Sequence, residues 1–493
     1  MIEKILSNES LSRSKLGESY LCLYGHFYQP PRENPFTHEI PIEVSASPFA
    51  NFNEKITAEC YRPNAEEGNF AAISYDMGPT LAAWLEIHHP EVYQRIIDAD
   101  RQHIARYGVG NAMAQAYNHT ILPLATTRDK HTQILWGLRD FQQRYGHEAH
   151  GMWLAETAID LECLDILAQY GVTYTVLAPW QAATPVDPTE PYIVRLKNGR
   201  SMTVFFYNGP LSGGVSFDSS MTSNADVFAG SHLTGNLVRE KLDNGEPQLI
   251  LIATDGELYG HHKPWRDKFL SYLIQHGAPT EGFEVCTLER YMQIQPATKE
   301  VQLRTPSAWS CEHGVARWSG GCTCTEGESS WKSVLRRALS RLAERGDLLF
   351  EQYTAEVFQD PWAARNDYLA LRNGWESEES FWSRHGKGGQ RPEQQLEYRA
   401  RLLLEAQYYQ QYSFTSCAFF FEDLDRIEPR NAIAFARRAI SLTWQAVDVD
   451  LQYDFLQDLL PAHSWRTQQS GVDLYKGLTE VDAGLLPPFP LGM

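Results

Sequence analysis

Three polar clusters in this chain stand where short apolar runs stop, and they hold its most reactive combinations of side chains. They are Gly25-His26-Phe27-Tyr28-Gln29-Pro30, Trp153-Leu154-Ala155-Glu156 and Asp255-Gly256-Glu257-Leu258-Tyr259-Gly260-His261. A fourth, from Gln115 to His119 with Pro123 beyond it, lies between the first two. The carboxylates Glu156 and Asp255 are the candidate pair. Cleaving a glycosidic bond with retention needs two carboxyl groups about 5–5.5 Å apart, one to attack the anomeric carbon and one to protonate the leaving oxygen. Distance along the chain is no obstacle if both residues end barrel strands, because those ends converge on one face. The acid must also keep its proton near neutrality, which apolar neighbours and a second carboxylate favour. Trp153 and the strand before Asp255 offer such surroundings.

The elements that must position these residues are legible as alternating patterns. Tyr20–Tyr24 is a continuous apolar run that stops at Gly25-His26, as expected of a parallel strand buried on both faces. Asp160 is placed to cap a helix running to Tyr170, with Leu161, Leu164 and Leu167 on one face and Gly171 as the stop. A strand over 172–178 follows. Tyr192–Leu196 and Met202–Tyr207 flank Asn198-Gly199, a hairpin signal. Leu249–Ala253 is a further buried strand, and Pro264 opens a helix expected to end at Gly277. Strands alternating with helices over 19–300 indicate an α/β architecture with a parallel sheet or barrel. Beyond about 330 the strand signals nearly vanish. Segments 333–350, 393–412 and 431–446 read as helices, so the expected layout is a polar arm (1–18), a catalytic domain (19–330) and a mostly α-helical domain (331–493).

Taken in order, the clusters resemble glycoside hydrolase family 57, whose motifs include His-x-x-Gln-Pro, Trp-x-x-Glu and Asp-x-Glu-x-x-Gly. The resemblance spans about residues 20–320. It implies a distorted (β/α)7 barrel, a retaining mechanism and α-glucan substrates. It places Glu156 on the nucleophile, Asp255 on the acid/base, and His26 and His119 on sugar-contacting positions, with Trp153 as a neighbouring wall. Gln29, Glu257 and His261, in the same motifs, join the expected substrate-binding set, although Glu257 also reads as a structural neighbour of Asp255. Two positions depart from the family pattern. Tyr28 stands where a second histidine is usual, and Gln115 where a glutamate is common. Water as acceptor makes an amylase-like hydrolase; a glucan hydroxyl makes a branching enzyme or glucanotransferase.

Trp309 and Trp318 flank a Gly-containing stretch, and by the same resemblance are aromatic contacts for sugar faces. In that stretch, Cys311-x-His313 and Cys322-x-Cys324 have the ligand types for zinc, but their one-residue spacers are tighter than the usual two to four. The default reading is therefore no metal and no cofactor, with loop thiols or a local disulfide. The segment 209–214 lacks the Gly-Lys-Ser/Thr ending of a phosphate loop. Two alternatives compete with the glucan reading. One is a metal-dependent α-mannosidase or sugar deacetylase using His26, His119, Asp255 and Glu257 as ligands; the other is a non-catalytic glucan-binding protein.

The totals narrow the field further. A net charge of −19 argues against a nucleic-acid partner, which requires a basic face. No apolar run approaches the roughly 18 residues that span a bilayer. The start, Met-Ile-Glu-Lys-Ile-Leu, lacks the basic and apolar regions of a signal peptide, and eight cysteines in 493 residues are too few for a disulfide scaffold. A cytoplasmic location is the expectation.

Overall fold

The structure, a computed structural model, describes residues 18–478 and Leu486. The polar arm expected over 1–18 lies outside the described residues except for Glu18. Among the described residues, no helix is long and apolar enough to cross a membrane.

Contacts divide the chain into two compact units: Met1–Gln29 with Ile42–Gln115 and Phe141–Trp309, and Pro30–Pro41 with Ala116–Asp140 and Ser310–Met493. The first unit contains β1 (Ser19–Phe27), β2 (Ser74–Met77), β3 (Ala112–Gln115), β4 (Met152–Trp153), β5 (Tyr174–Leu177), β6 (Tyr192–Arg195), β7 (Ser201–Phe206), β8 (Gln248–Asp255), β9 (Glu284–Val285) and β10 (Lys299–Glu300). Parallel pairings run β8-β1-β2-β3-β4, and β5 pairs in parallel with β7. A parallel bridge between Gly151 and Tyr174 links β4 to β5. Asn208 N–H donates to Leu251 C=O at 2.7 Å, linking the end of β7 to β8. Seven strands thus form the distorted parallel barrel that the resemblance implied. β6 folds back antiparallel on β7 as a hairpin, with Asn198 and Gly199 both at positive φ, as a tight hairpin turn demands.

Alternation within the strands fills the interior. Tyr20, Cys22 and Tyr24 of β1 pack with Leu249, Leu251 and Ala253 of β8, together with Val176, Phe205 and Tyr291. All nine residues of β1 are buried, as befits a parallel strand covered on both faces. It does not stop at Gly25-His26, however; ladder pairing with β2 and β8 carries it on through His26, and with β2 as far as Phe27. The Asp160 carboxylate accepts from Cys163 N–H at 2.7 Å and caps the helix Leu161–Gln169, as its sequence indicates. Gly277 does not end its helix. It has right-handed φ/ψ and the helical stretch continues through Ala278–Thr280; a Cβ at Gly277 would sit 3.2 Å from the Ala225 carbonyl, so this glycine serves close packing.

The second unit is helical, with long helices Trp331–Thr354, Gln394–Tyr412 and Ile427–Val447. Its core gathers Trp136, Phe350, Phe358, Trp382, Leu403 and Phe435. Arg365, fully buried there, is matched by Asp129 at 2.9 Å and Gln407 at 2.8 Å, so its charge is not left unpaired.

Candidate active site

The interior rows of β1 and β8 lead directly to the site. One alternation beyond Tyr24 is His26, and one beyond Ala253 is Asp255; the two are cross-strand partners. On its other side His26 is the partner of Asp76 in β2. An apolar barrel core therefore ends in a layer of ionisable groups at the carboxyl ends of its strands.

Asp76, fully buried, organises this layer. It accepts from Tyr24 Oη at 2.6 Å and Gln115 Nε2 at 2.5 Å, and meets His26 Nδ1 at 2.9 Å. Burial works against a charged imidazole, but the Asp76 carboxylate outweighs it, aided by Asp255 and Glu257, and His26 is pushed up to about 9. The site thus holds an imidazolium at neutral pH. Its ring stacks on Trp153 at 5.0 Å, and Trp153 in turn stacks on Tyr24 at 4.9 Å. Trp153 is fully buried. It therefore packs behind His26 as a neighbouring wall.

Asp255 is solvent-accessible by area yet ringed by protein. Desolvation raises its pKa, opposed by His26 and His262 and supported by Asp76, and the balance lies above the ordinary value. Glu257 is buried. Its Oε1 accepts from Tyr61 Oη at 2.7 Å and Tyr28 N–H at 3.2 Å, and desolvation, only partly offset by the Tyr61 hydrogen bond, pushes it up to about 7. Gln29 reaches the same chain, donating from Nε2 to Tyr61 Oη at 3.2 Å. His261 is turned to Glu59 at 2.5 Å; its neighbour His262 is the histidine that acts on Asp255.

Glu156 is held differently. It sits three residues past β4 at φ 58° and ψ 22°, and Thr157 follows at φ 48°. Two consecutive non-glycine residues in the left-handed region cost about 1–3 kcal/mol each and persist only where neighbours enforce them. Gln181 does so: it accepts from Thr157 Oγ1 at 2.8 Å and donates back to Thr157 C=O at 2.8 Å. Trp309 grips Glu156 twice, donating Nε1–H to Oε2 at 2.9 Å and its backbone N–H to the Glu156 carbonyl at 3.0 Å. The Trp309 ring lies 6.5 Å from His26, 5.1 Å from Trp153 and 6.3 Å from Tyr207. Tyr207 also meets Trp180, which is 46% exposed and hydrogen-bonded to Ala308 C=O.

His26, Gln29, Trp153, Glu156, Asp255, Glu257, His261 and Trp309 all belong to the first unit, and His119 and Trp318 to the second. His119 is buried at φ 52°, its Nδ1 2.6 Å from Ser416 Oγ. Trp318 has no exposed surface and lies beside Phe420. Sequence reasoning missed Asp76, Tyr61, Trp180 and Tyr207; Asp76 is followed by Met77 in its strand, so no strand-end signal marks it.

A seven-stranded parallel barrel ending in a layer of carboxylates and an imidazolium defines the class of protein. The chain belongs to glycosyl hydrolase family 57, whose sequence profile matches residues 3–304. Residues 328–482 match a domain of unknown function, DUF3536. Alpha-amylase 1 of Dictyoglomus thermophilum is 28% identical over 304 residues, covering 58% of this chain and 39% of that protein. The chain thus spans well under half the length of that relative. An exo-type maltose-forming amylase from Pyrococcus sp. ST04 shares the fold with a TM-score of 0.71 at 14% identity, over 94% of this chain and 88% of that one. A GH57-type branching enzyme from Pyrococcus horikoshii does so with a TM-score of 0.61 at 14% identity, over 93% and 97%.

Proposed function

We propose that the protein is a retaining glycoside hydrolase or transglycosylase acting on α-glucans, with Glu156 as nucleophile and Asp255 as acid/base. The observation that carries this reading is the chain of contacts joining the two carboxylates: Asp255 is the cross-strand partner of His26, whose ring lies 6.5 Å from Trp309, whose indole holds Glu156. Names among its relatives, amylase and branching enzyme, point to the substrate class.

In the first step the Glu156 carboxylate attacks the anomeric carbon. The glycosidic C–O bond breaks and Asp255 gives its proton to the departing oxygen, leaving a covalent glycosyl ester on Glu156. In the second, Asp255 takes a proton from an acceptor hydroxyl as that oxygen attacks the anomeric carbon, and the Glu156 carboxylate is released. The residues divide the two roles well. Trp309 Nε1–H stabilises Glu156 as an anion, whereas desolvation favours the protonated form of Asp255. Half-buried Trp309 and exposed Trp180 supply flat surfaces for sugar rings.

A metal-hydrolase reading fits these residues less well. Among the described residues, His26, Asp255 and Glu257 are not brought together as a group of ligand atoms that could hold one ion. Incubation with amylose tests the proposal. New reducing ends, new branch linkages or redistributed chain lengths are expected from the wild type and none of these from Glu156→Gln; equal turnover by that variant would remove Glu156 from its role.

A further inference from the structure

The second unit carries a cluster that the proposed glycosidase chemistry does not use. Cys311 and His313 come from one arm of a loop and Cys322 and Cys324 from another, with the short helix Ala316–Ser319 between them. Gly321, at φ +83°, turns the chain into the second arm, and a Cβ there would collide with Ser329, so the close approach needs glycine. The four ligand atoms all lie within 4.8 Å of one another. Cys311 Sγ is 3.6 Å from Cys322 Sγ, and Cys324 Sγ is 3.4 Å from His313 Nδ1.

We propose that Cys311, His313, Cys322 and Cys324 form a structural zinc site. Zinc bound tetrahedrally, with Zn–S near 2.3 Å and Zn–N about 2.0–2.1 Å, sets its sulfurs about 3.8 Å apart and a sulfur about 3.5 Å from the nitrogen. The two distances above match that geometry. Four protein donors with no position left for water make a closed, structural site. The one-residue spacers that argued against zinc in the sequence are no obstacle, because each arm supplies two donors to one point.

The charges around the cluster give a second, independent argument. Zn²⁺ with three thiolates and a neutral imidazole has a net charge of −1. Beside it stands Lys332, with no exposed surface; among the described residues its ammonium donates to Thr325 Oγ1 at 3.1 Å and the Phe420 carbonyl at 3.4 Å. Among the described residues no carboxylate lies within ion-pair distance of it, and Cys322, Glu422 and Cys311 are the acidic groups that act on it. Arg317 donates to the Cys324 carbonyl, and among the described residues its buried Nε has no partner and no carboxylate lies at ion-pair distance. A fully buried ammonium and a partly buried guanidinium, each without a carboxylate at ion-pair distance, are costly. An anionic zinc–thiolate centre is the counter-charge they lack.

The test uses the full-length protein purified under reducing conditions without added metal. Elemental analysis should find about one zinc per chain. After chelation, Co²⁺ added anaerobically should give the thiolate charge-transfer and visible bands of tetrahedral cobalt. Zinc content should drop to background in the Cys322→Ser/Cys324→Ser double variant and persist in Cys417→Ser. Wild type that contains no zinc and gives no tetrahedral cobalt spectrum would overturn the proposal, as would zinc retained by the double variant. If the double variant does not fold, the cobalt spectrum of the wild type decides alone.

Discussion

The Trp309 indole donates a 2.9 Å hydrogen bond to the Glu156 carboxylate, while its backbone N–H holds the Glu156 carbonyl at 3.0 Å. One residue thus fixes both the charge and the backbone of the proposed nucleophile. A hydrogen bond to a charged group contributes about 1.5–3 kcal/mol. Trp309→Phe keeps an aromatic ring and the backbone contact but loses the indole donor. Its kcat/KM on amylose should fall about ten- to hundredfold with little change in melting temperature. A rate within twofold of wild type would show that the indole donor does not matter to the reaction.

The left-handed backbone at Glu156 makes a separate prediction about stability. Glycine adopts φ near 58° without penalty, so Glu156→Gly relieves strain of about 1 kcal/mol while removing the nucleophile. Because the variant also loses the Trp309 hydrogen bond, its melting temperature should lie below wild type but above that of Glu156→Ala, which loses the same bond and keeps the strain; turnover should be lost in both. A Glu156→Gly melting temperature below that of Glu156→Ala would show that the left-handed backbone stores no strain.

His26 and Asp76 tie stability to pH. With His26 raised to about 9 from an ordinary 6.5, the folded chain holds this proton more tightly than the unfolded chain does. The stabilisation is complete below about pH 6.5 and is lost as pH rises through about 9, with a ceiling of about 3 kcal/mol. Asp76→Asn removes the counter-charge. Thermal melts should show a gap between wild type and Asp76→Asn that is widest near pH 6 and narrows towards pH 9; a gap independent of pH would contradict the ion pair.

Glu257 behaves as a buried acid pushed up to about 7 from an ordinary 4.5. Its protonated form is the better-housed one, so its contribution is complete below about pH 4.5 and is lost as pH rises through about 7. Glu257→Gln has no such loss. Relative to wild type it should gain stability between about pH 5 and pH 8, by up to about 3 kcal/mol. Loss of relative stability over that interval would mean that the Tyr61 hydrogen bond and the His26 charge outweigh desolvation.

Much of the barrel is legible in the sequence because parallel strands buried on both faces read as continuous apolar runs. Leu249–Ala253 and its partner β1 are clear for this reason, as is the hairpin at Asn198-Gly199. β4 is not legible from periodicity, since it has only two residues, Met152 and Trp153. Gly25 and Gly277 mislead as stops because a glycine that permits close packing looks the same, in a single sequence, as one that ends an element. Asp76 is hidden because its strand, Ser74-Tyr75-Asp76-Met77, is half polar. Its importance lies in three partners from β1 and β3 that only register brings together. Trp153 and Trp318 show the converse limit: both are fully buried, and an aromatic beside a motif does not announce its burial in the sequence.

Azide rescue tests the division of labour between the two carboxylates most directly. Asp255→Ala, given an α-maltooligosyl fluoride and azide, should still form the ester on Glu156 and then release the α-glycosyl azide. Glu156→Ala should instead let azide attack the substrate directly and release the β-anomer. The same anomer from both variants, or rescue of neither while both remain folded, would contradict the assignment of Glu156 as nucleophile and Asp255 as acid/base.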